Sequence, residues 1–456
     1  MANTDSSALP EGIFSLLDTD LYKLTMQCCV LKFFPDVSVT YSFTNRTPDK
    51  KLTRAAFQWL STQVDKLGDV SVSSDELHFL KNTCTYLTDQ YLQFLSTFRL
   101  KPSKQLKLIF NPINDTGKDS DVGDFSIHTE GLWVDTILYE IPLLALISEA
   151  YFKFCDTDWD YSGQLENAYQ KGSTLLKEGC VFSEFGTRRR RDYHTQNIVI
   201  EGLKKAQHNA SQEGWSGKLT GTSNVHLAMK HGLFPVGTVA HEWFMGVAAI
   251  TNDYEHANEL GLKYWTATFG EGVLGIALTD TFGTPAFLQA FKQQISSPDD
   301  GKTSCQTYAQ VFAGVRQDSG DPLDFIKMMR EFYDQQGIND KKTIVFSDSL
   351  NLDLCFKYKA AAEAEGFQPT FGVGTFFTND FVGKSTGKKS IPLNIVIKIA
   401  SANGRPAVKI SDNIGKNTGD KMTVEEVKHR LGYKEKIWAG GNEATRWGTS
   451  DQPAAV

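Results

Sequence analysis

The stretch "CVFSEFGTRRRRDYHT", residues 180–195, joins a short apolar run to a Gly-Thr turn, four consecutive arginines and a helical pattern. Read as strand, turn and helix, it is one βα unit. The same rhythm recurs in "GKLTG" from 217, "PVGTVA" from 235, "VLGIALTD" from 273, "VFAGVR" from 311, "TIVFSD" from 343 and "PTFGVG" from 369. Their starts lie roughly 20 to 40 residues apart, the size of a βα repeat. Seven units in series predict a parallel, irregular TIM-like α/β barrel; an open doubly wound sheet is the alternative. The barrel is favoured by what ends each run: FGTRR, GTSN, AHE, TDT, RQDSG, SDS and GVGT. In a barrel these polar clusters meet at the C-terminal rim, where active sites form.

Helix boundaries have physical markers. Asp321, Pro322 and Gly337 suit the N-cap, first turn and stop of one helix. Thr222 or Ser223 caps a second, closed by Gly232, and Ser349 with Gly366 bounds a third. The flanks differ from the barrel. "VSVTYSFTN" from 37 reads as a strand, and "LTRAAFQWLSTQVDKL" from 52 as a helix. "PLNIVIKIA" and "PAVKISD" read as strands paired around the "SANGR" turn. Residues 1–150 with 385–440 are therefore expected to form a second α/β domain beside a barrel at 151–384, with 441–456 a loosely ordered tail.

The 456 residues carry a net charge of −7, which argues against a general nucleic-acid coat but not against a local anion site. The seven cysteines form no CxxC pair, so reduced thiols are expected rather than a disulfide frame or a thiolate zinc site. The most apolar run, "IPLLALISEAYF", is too short to span a membrane and contains Pro142 and Glu149. The expectation is a cytoplasmic protein, with nuclear access left open.

Each rim motif has a bland reading. "GTSN" is ordinary capping about three times more often than an anion site. "FGVGT" is a plain turn by default, though Gly374 and Thr375 leave backbone amides open to a phosphate. Arg316 and Asp318 are as readily a structural pair as holders of phosphate and Mg²⁺ or ribose hydroxyls. His241 is a lone histidine, usually a packed residue; at the rim it can be a nucleophile or base. Glu242 joins it as a candidate catalytic group, although adjacent helical side chains point apart. Jointly the motifs describe a rim suited to a phosphate-rich sugar and Mg²⁺.

"TDLYKLTMQ", "TYSFTNRTP", "FSEFGTRRR", "LTGTSNVHLA", "GTVAHEW", "RQDSGDP" and "FGVGTFF", in that order from about 16 to 440, resemble the nicotinate phosphoribosyltransferase family of fungal or bacterial type. The resemblance implies the type II phosphoribosyltransferase fold. It also implies an ATP-coupled reaction of nicotinate with 5-phosphoribosyl 1-diphosphate, giving nicotinate mononucleotide and diphosphate. ATP and Mg²⁺ are the implied cofactors, and the assembly is left as monomer or homodimer, because in many relatives Tyr22 and Arg46 reach into a partner. By the same resemblance His241 is the phosphorylated histidine. Tyr22 and Phe185 sandwich the pyridine ring, and Thr238 with Arg316 meets the nicotinate carboxylate. Arg188 and Arg316 hold diphosphate, Gly374 and Thr375 the 5-phosphate. Asp318 and Asp348 contact ribose or Mg²⁺, and Arg46 adds charge from the other domain. Relatives that use nicotinamide carry aspartate where this chain has Ser223, which favours the acid as substrate. Two rivals stand beside this reading: nicotinamide specificity, and a non-catalytic nucleic-acid patch at Arg188–Arg191.

Overall fold

A computed structural model of the chain describes residues 9–299, 301–413 and 416–433; the expected tail at 441–456 lies outside them. Six of the seven predicted runs are strands of one all-parallel sheet. Its order is Lys218–Thr222, Val181–Glu184, Gln368–Val373, Thr343–Phe346, Gly314–Gln317, Ile276–Leu278. The seventh, "PVGTVA", is not a strand. It makes one isolated parallel bridge, Pro235 with Thr222. Pro235 has no N–H to donate, so the ladder cannot propagate. The segment still runs across the open side of the barrel: Val236 N donates to Thr222 O at 2.9 Å, and Arg316 Nη1 donates to Val239 O at 3.0 Å. The barrel is irregular because this stave is held by single bonds.

The second layer joins both ends of the chain. Ser38–Asn45 lies between Val122–Leu132 and Ile395–Ala402, antiparallel to each. The helix Arg54–Lys66 packs beside it, capped by the Thr53 hydroxyl, which accepts from Ala56 N at 3.2 Å. "IPLLALISEAYF" forms the buried helix Glu140–Phe154. Pro142 falls in its first turn, where the missing N–H has no intrahelical partner to lose. Among the described residues no helix is long and apolar enough to cross a membrane.

Three local expectations are corrected. The caps at the second and third predicted helices are Asn224 and Asn351, not Thr222, Ser223 or Ser349; their side chains accept from Leu227 N and Leu354 N, both at 2.9 Å. Arg190 and Arg191, which from sequence read as opening the following helix, precede it: the helix begins at Tyr193 behind the Asp192 cap. "PAVKISD" stays with its neighbour only at its start, through the Arg405–Pro406 pairing and Ala407 N, which donates to Ala400 O at 2.9 Å. It then leaves the sheet and crosses to the barrel rim, where Ile410 N donates to Thr281 O at 2.8 Å.

Candidate active site

A cleft of about 1400 Å³ opens between the strand ends of the barrel and the Ile395–Ala402 strand of the second layer. Eleven predicted residues line it: Tyr22, Phe185, Arg188, Ser223, Thr238, His241, Glu242, Arg316, Asp318, Gly374 and Thr375. Arg46 and Asp348 do not. Arg46 N donates to Asn394 O at 2.8 Å in the second layer. Asp348 forms an ion pair with Lys416 beside the cleft.

Tyr22 and Phe185 come from the same chain, brought together by the N-terminal segment. Leu21 N donates to Ser223 O at 2.8 Å, and Asp20 bridges Asn224, so the first helix docks directly on the rim. Phe185 depends on Gly372, because a Cβ there would overlap its ring. The glycine is thus required by an aromatic neighbour, not by its own backbone angles.

His241 opens the helix His241–Thr251 and is 4% exposed. Its Nδ1 lies 3.0 Å from Thr281 Oγ1, and its Nε2 lies 3.0 Å from both Asp318 Oδ2 and Lys409 Nζ. Burial pushes its pKa down to about 4, and Lys409 adds to the effect. The imidazole is therefore neutral near pH 7, with one nitrogen lone pair available. Asp280 stands behind it: Oδ2 is 3.1 Å from Lys409 Nζ and accepts from Ser319 Oγ at 2.5 Å. Its Oδ1, 3.7 Å from His241 Nε2, has no hydrogen-bond partner among the described residues.

Glu242 lines the cleft with both carboxylate oxygens already engaged. Its Oε1 accepts from Tyr41 OH at 2.5 Å and from Trp133 Nε1 at 2.9 Å, while Oε2 pairs with buried Lys23. Lys23 also lies 2.6 Å from Glu140 Oε2. Burial alone would raise the Glu140 carboxyl, but Lys23, Lys398 and Arg188 outweigh it and hold it at about 2. Lys398 lines the cleft, and burial pushes its pKa down to about 8.

The arginine run divides residue by residue. Arg188 has a side chain 38% exposed, lines the cleft and lies 3.9 Å from Glu140 Oε1. Arg189 also lines it, donating from Nη2 to Ile395 O at 3.0 Å. Arg190 is fully buried and bidentate to Asp18, both bonds at 2.7 Å. Arg191 is fully buried, its guanidinium 3.7 Å from the Phe152 ring centroid and 4.1 Å from that of Phe381. Two arginines line the cleft and two hold the wall. A nucleic-acid patch would need them exposed together, so that reading is discarded.

His241, Asp280 and Asp318 offer ligand atoms within 4.8 Å of one another, as a metal site would. The Lys409 ammonium, within hydrogen-bond reach of His241 and Asp280, already neutralises the middle of that group. A hard Mg²⁺ ion prefers oxygen ligands and commonly keeps waters and substrate phosphates. Asp318, on the cleft side, fits such an ion; Asp348, already paired with Lys416, fits less well.

Sequence reading missed Lys409, Lys398, Asp280 and Glu140. Asp280 is the middle residue of the TDT rim cluster and could have been found there. The two lysines carry no local signal.

A barrel rim that gathers arginines, amide-lined turns and a neutral buried imidazole is the architecture of a phosphate-handling transferase. The chain belongs to the nicotinate phosphoribosyltransferase (NAPRTase) family, whose model matches residues 180–435, with the family's N-terminal domain matching 17–148. It is 47% identical over 440 residues to the nicotinate phosphoribosyltransferase of Saccharomyces cerevisiae, covering 95% of this chain and 99% of that one. It is 35% identical to that of Methanosarcina mazei, covering 92% and 99%. The crystal structure of a putative nicotinate phosphoribosyltransferase from S. cerevisiae superposes with a TM-score of 0.86 at 45% identity, covering 94% and 100%. That of the Porphyromonas gingivalis enzyme gives 0.79 at 32% identity, covering 92% and 100%.

Proposed function

We propose that this protein joins nicotinate to the ribose of 5-phosphoribosyl 1-diphosphate, releasing diphosphate, and couples the reaction to ATP through a phosphohistidine at His241. The observation that carries this reading is one cleft that holds an aromatic pair, ligand-facing cations and a neutral imidazole beside a lysine. Tyr22 and Phe185 present ring faces for the pyridine. Arg188 and Arg316 place guanidinium forks where diphosphate departs, and Gly374 and Thr375 offer backbone amides to the 5-phosphate. As diphosphate leaves, the anomeric carbon gains oxocarbenium character and the pyridine nitrogen attacks. The protein's part is alignment and charge stabilisation.

In the coupling step the His241 lone pair attacks the γ-phosphorus of ATP, forming N–P while the bond to the β–γ bridging oxygen breaks and ADP leaves. A phosphoryl group on Nε2 would displace the Asp318 contact and place its oxygens against the Lys409 ammonium already beside that nitrogen. Bound Mg²⁺, held by Asp318 and substrate phosphates, would supply charge neutralisation. One chain contributes both ring faces, so a monomer is the proposed catalytic unit.

The test is product formation. Nicotinate, 5-phosphoribosyl 1-diphosphate and ATP are expected to give nicotinate mononucleotide, with acid-labile phosphate on the protein. Preferential use of nicotinamide overturns the substrate assignment. Full ATP coupling in His241→Ala overturns the phosphohistidine.

A further inference from the structure

Ser223 was expected to favour the acid because it replaces a carboxylate. The structure returns a carboxylate to the same wall from another element: Ser223 Oγ donates to Asp20 Oδ1 at 2.8 Å, and both residues line the cleft. Their backbones are fixed. Ser223 N donates to Glu184 O, and Leu21 N to Ser223 O, both at 2.8 Å. The freedom that remains in the pair is the position of its hydrogens.

A hydroxyl that gives its proton to a carboxylate shows only lone pairs to a ligand. With Asp20 ionised, Ser223 is an acceptor, suited to the N–H of an amide and repelling a carboxylate. With Asp20 protonated, the Asp20 O–H donates to Ser223 Oγ, and the serine proton turns into the cleft as a donor. Thr187 does not offer an alternative route. Its Oγ accepts from Gln196 Nε2 at 3.1 Å and Asn224 Nδ2 at 3.4 Å, and its own proton goes to Asp20.

We propose that binding of the pyridine carboxylate is coupled to uptake of one solvent proton by the Asp20–Ser223 pair, which converts this wall from acceptor to donor and so selects the acid over the amide. The inference rests on the function proposed above. The charges facing Asp20 are Arg188 from the turn after the first barrel strand, Glu184 from that strand, Glu140 from the buried helix and Tyr22 from its own helix. Burial is the largest influence and raises the Asp20 pKa; Glu140 adds to it, and Arg188, Thr187 and Ser223 oppose it without cancelling it. Asp20 is 3% exposed, so its carboxyl lies out of bulk water.

The sign follows. A ligand that binds with proton uptake binds more weakly as pH rises. With 5-phosphoribosyl 1-diphosphate and ATP saturating, kcat/KM for nicotinate is expected to fall about tenfold per pH unit above the Asp20 transition. Asp20→Asn donates to Ser223 at every pH and is expected to lose that limb while still using nicotinate. Ser223→Ala severs the pair and is expected to lose the limb with a raised KM, which keeps the test valid if the Asp20→Asn variant folds poorly. A wild-type profile without the limb, or the same limb in either variant, overturns the proposal. Nicotinate mononucleotide made throughout leaves the functional reading standing in that case; its absence at every pH overturns that reading instead.

Discussion

His241 Nε2 and Lys409 Nζ lie 3.0 Å apart, although 168 residues separate them in sequence. The lysine does two things to the ring. It helps hold the imidazole neutral, and it waits where a transferred phosphoryl group would gather negative charge. Burial and Lys409 place the His241 pKa at about 4 against an ordinary 6.5. The neutral form therefore persists as pH falls to about 4 and is lost below it. Phosphorylation by labelled ATP in single-turnover mode is expected to stay level from about pH 7 toward about pH 5. Lys409→Met removes the cation, so the acid limb moves upward in pH. An unmoved limb in that variant assigns the shift to burial alone.

Gly372 and Phe185 give a second prediction. A methyl group at 372 collides with the ring, and overpacking of this kind costs about 1–3 kcal/mol. Gly372→Ala is expected to raise KM for nicotinate by about tenfold or more, with a smaller change for 5-phosphoribosyl 1-diphosphate. Steady-state kinetics with each substrate varied checks it; equal effects on both would point to general distortion.

The arginines separate by assay. Arg188→Ala is expected to raise KM for 5-phosphoribosyl 1-diphosphate with little loss of stability. Arg190→Ala strands Asp18 in the interior and is expected to cost about 3–5 kcal/mol, read by denaturant unfolding. Burial would raise the Asp18 carboxyl, but Arg190 outweighs it and holds it below the ordinary 3.8. The stability of that pair is thus fully present above that value and lost as pH falls through the lower folded one. Arg191→Ala removes a guanidinium packed between two phenylalanine rings. It is expected to lower Tm without a selective effect on any KM.

Because Tyr22 and Phe185 line one cleft from one chain, specific activity is expected to be constant on dilution through the nanomolar range. A decline that tracks dissociation in light scattering would instead tie activity to a partner.

Much of this site was legible because its signals are local. A strand that ends in FGTRR or RQDSG announces a rim position without knowledge of its neighbours, and Asp321 before Pro322 announces a cap. Capping failed as a guide at Ser223 and Ser349 because Asn224 and Asn351, one and two residues on, reach the helix amides instead. "PVGTVA" misled because its apolar pattern is strand-like while Pro235 denies it a ladder. Lys398 and Lys409 were invisible for a different reason. Their sequence neighbours read as an ordinary surface-layer strand pair; the antiparallel docking of Ile395–Ala402 on Ser38–Asn45 carries Lys398 to the cleft, and the crossing of "PAVKISD" to the rim brings Lys409 to His241.

That docking also sets an order of events during synthesis. The barrel strands, His241 and the three cleft-lining arginines are complete by residue 373, yet Lys398 and Lys409 are translated afterwards. A nascent or C-terminally truncated chain would hold an imidazole without its lysine and a cleft without its second wall. On the proposed mechanism the ATP-handling pair and the second wall of the cleft are assembled only when the chain is nearly whole, so a broken copy is expected to idle rather than consume a nucleotide without making product.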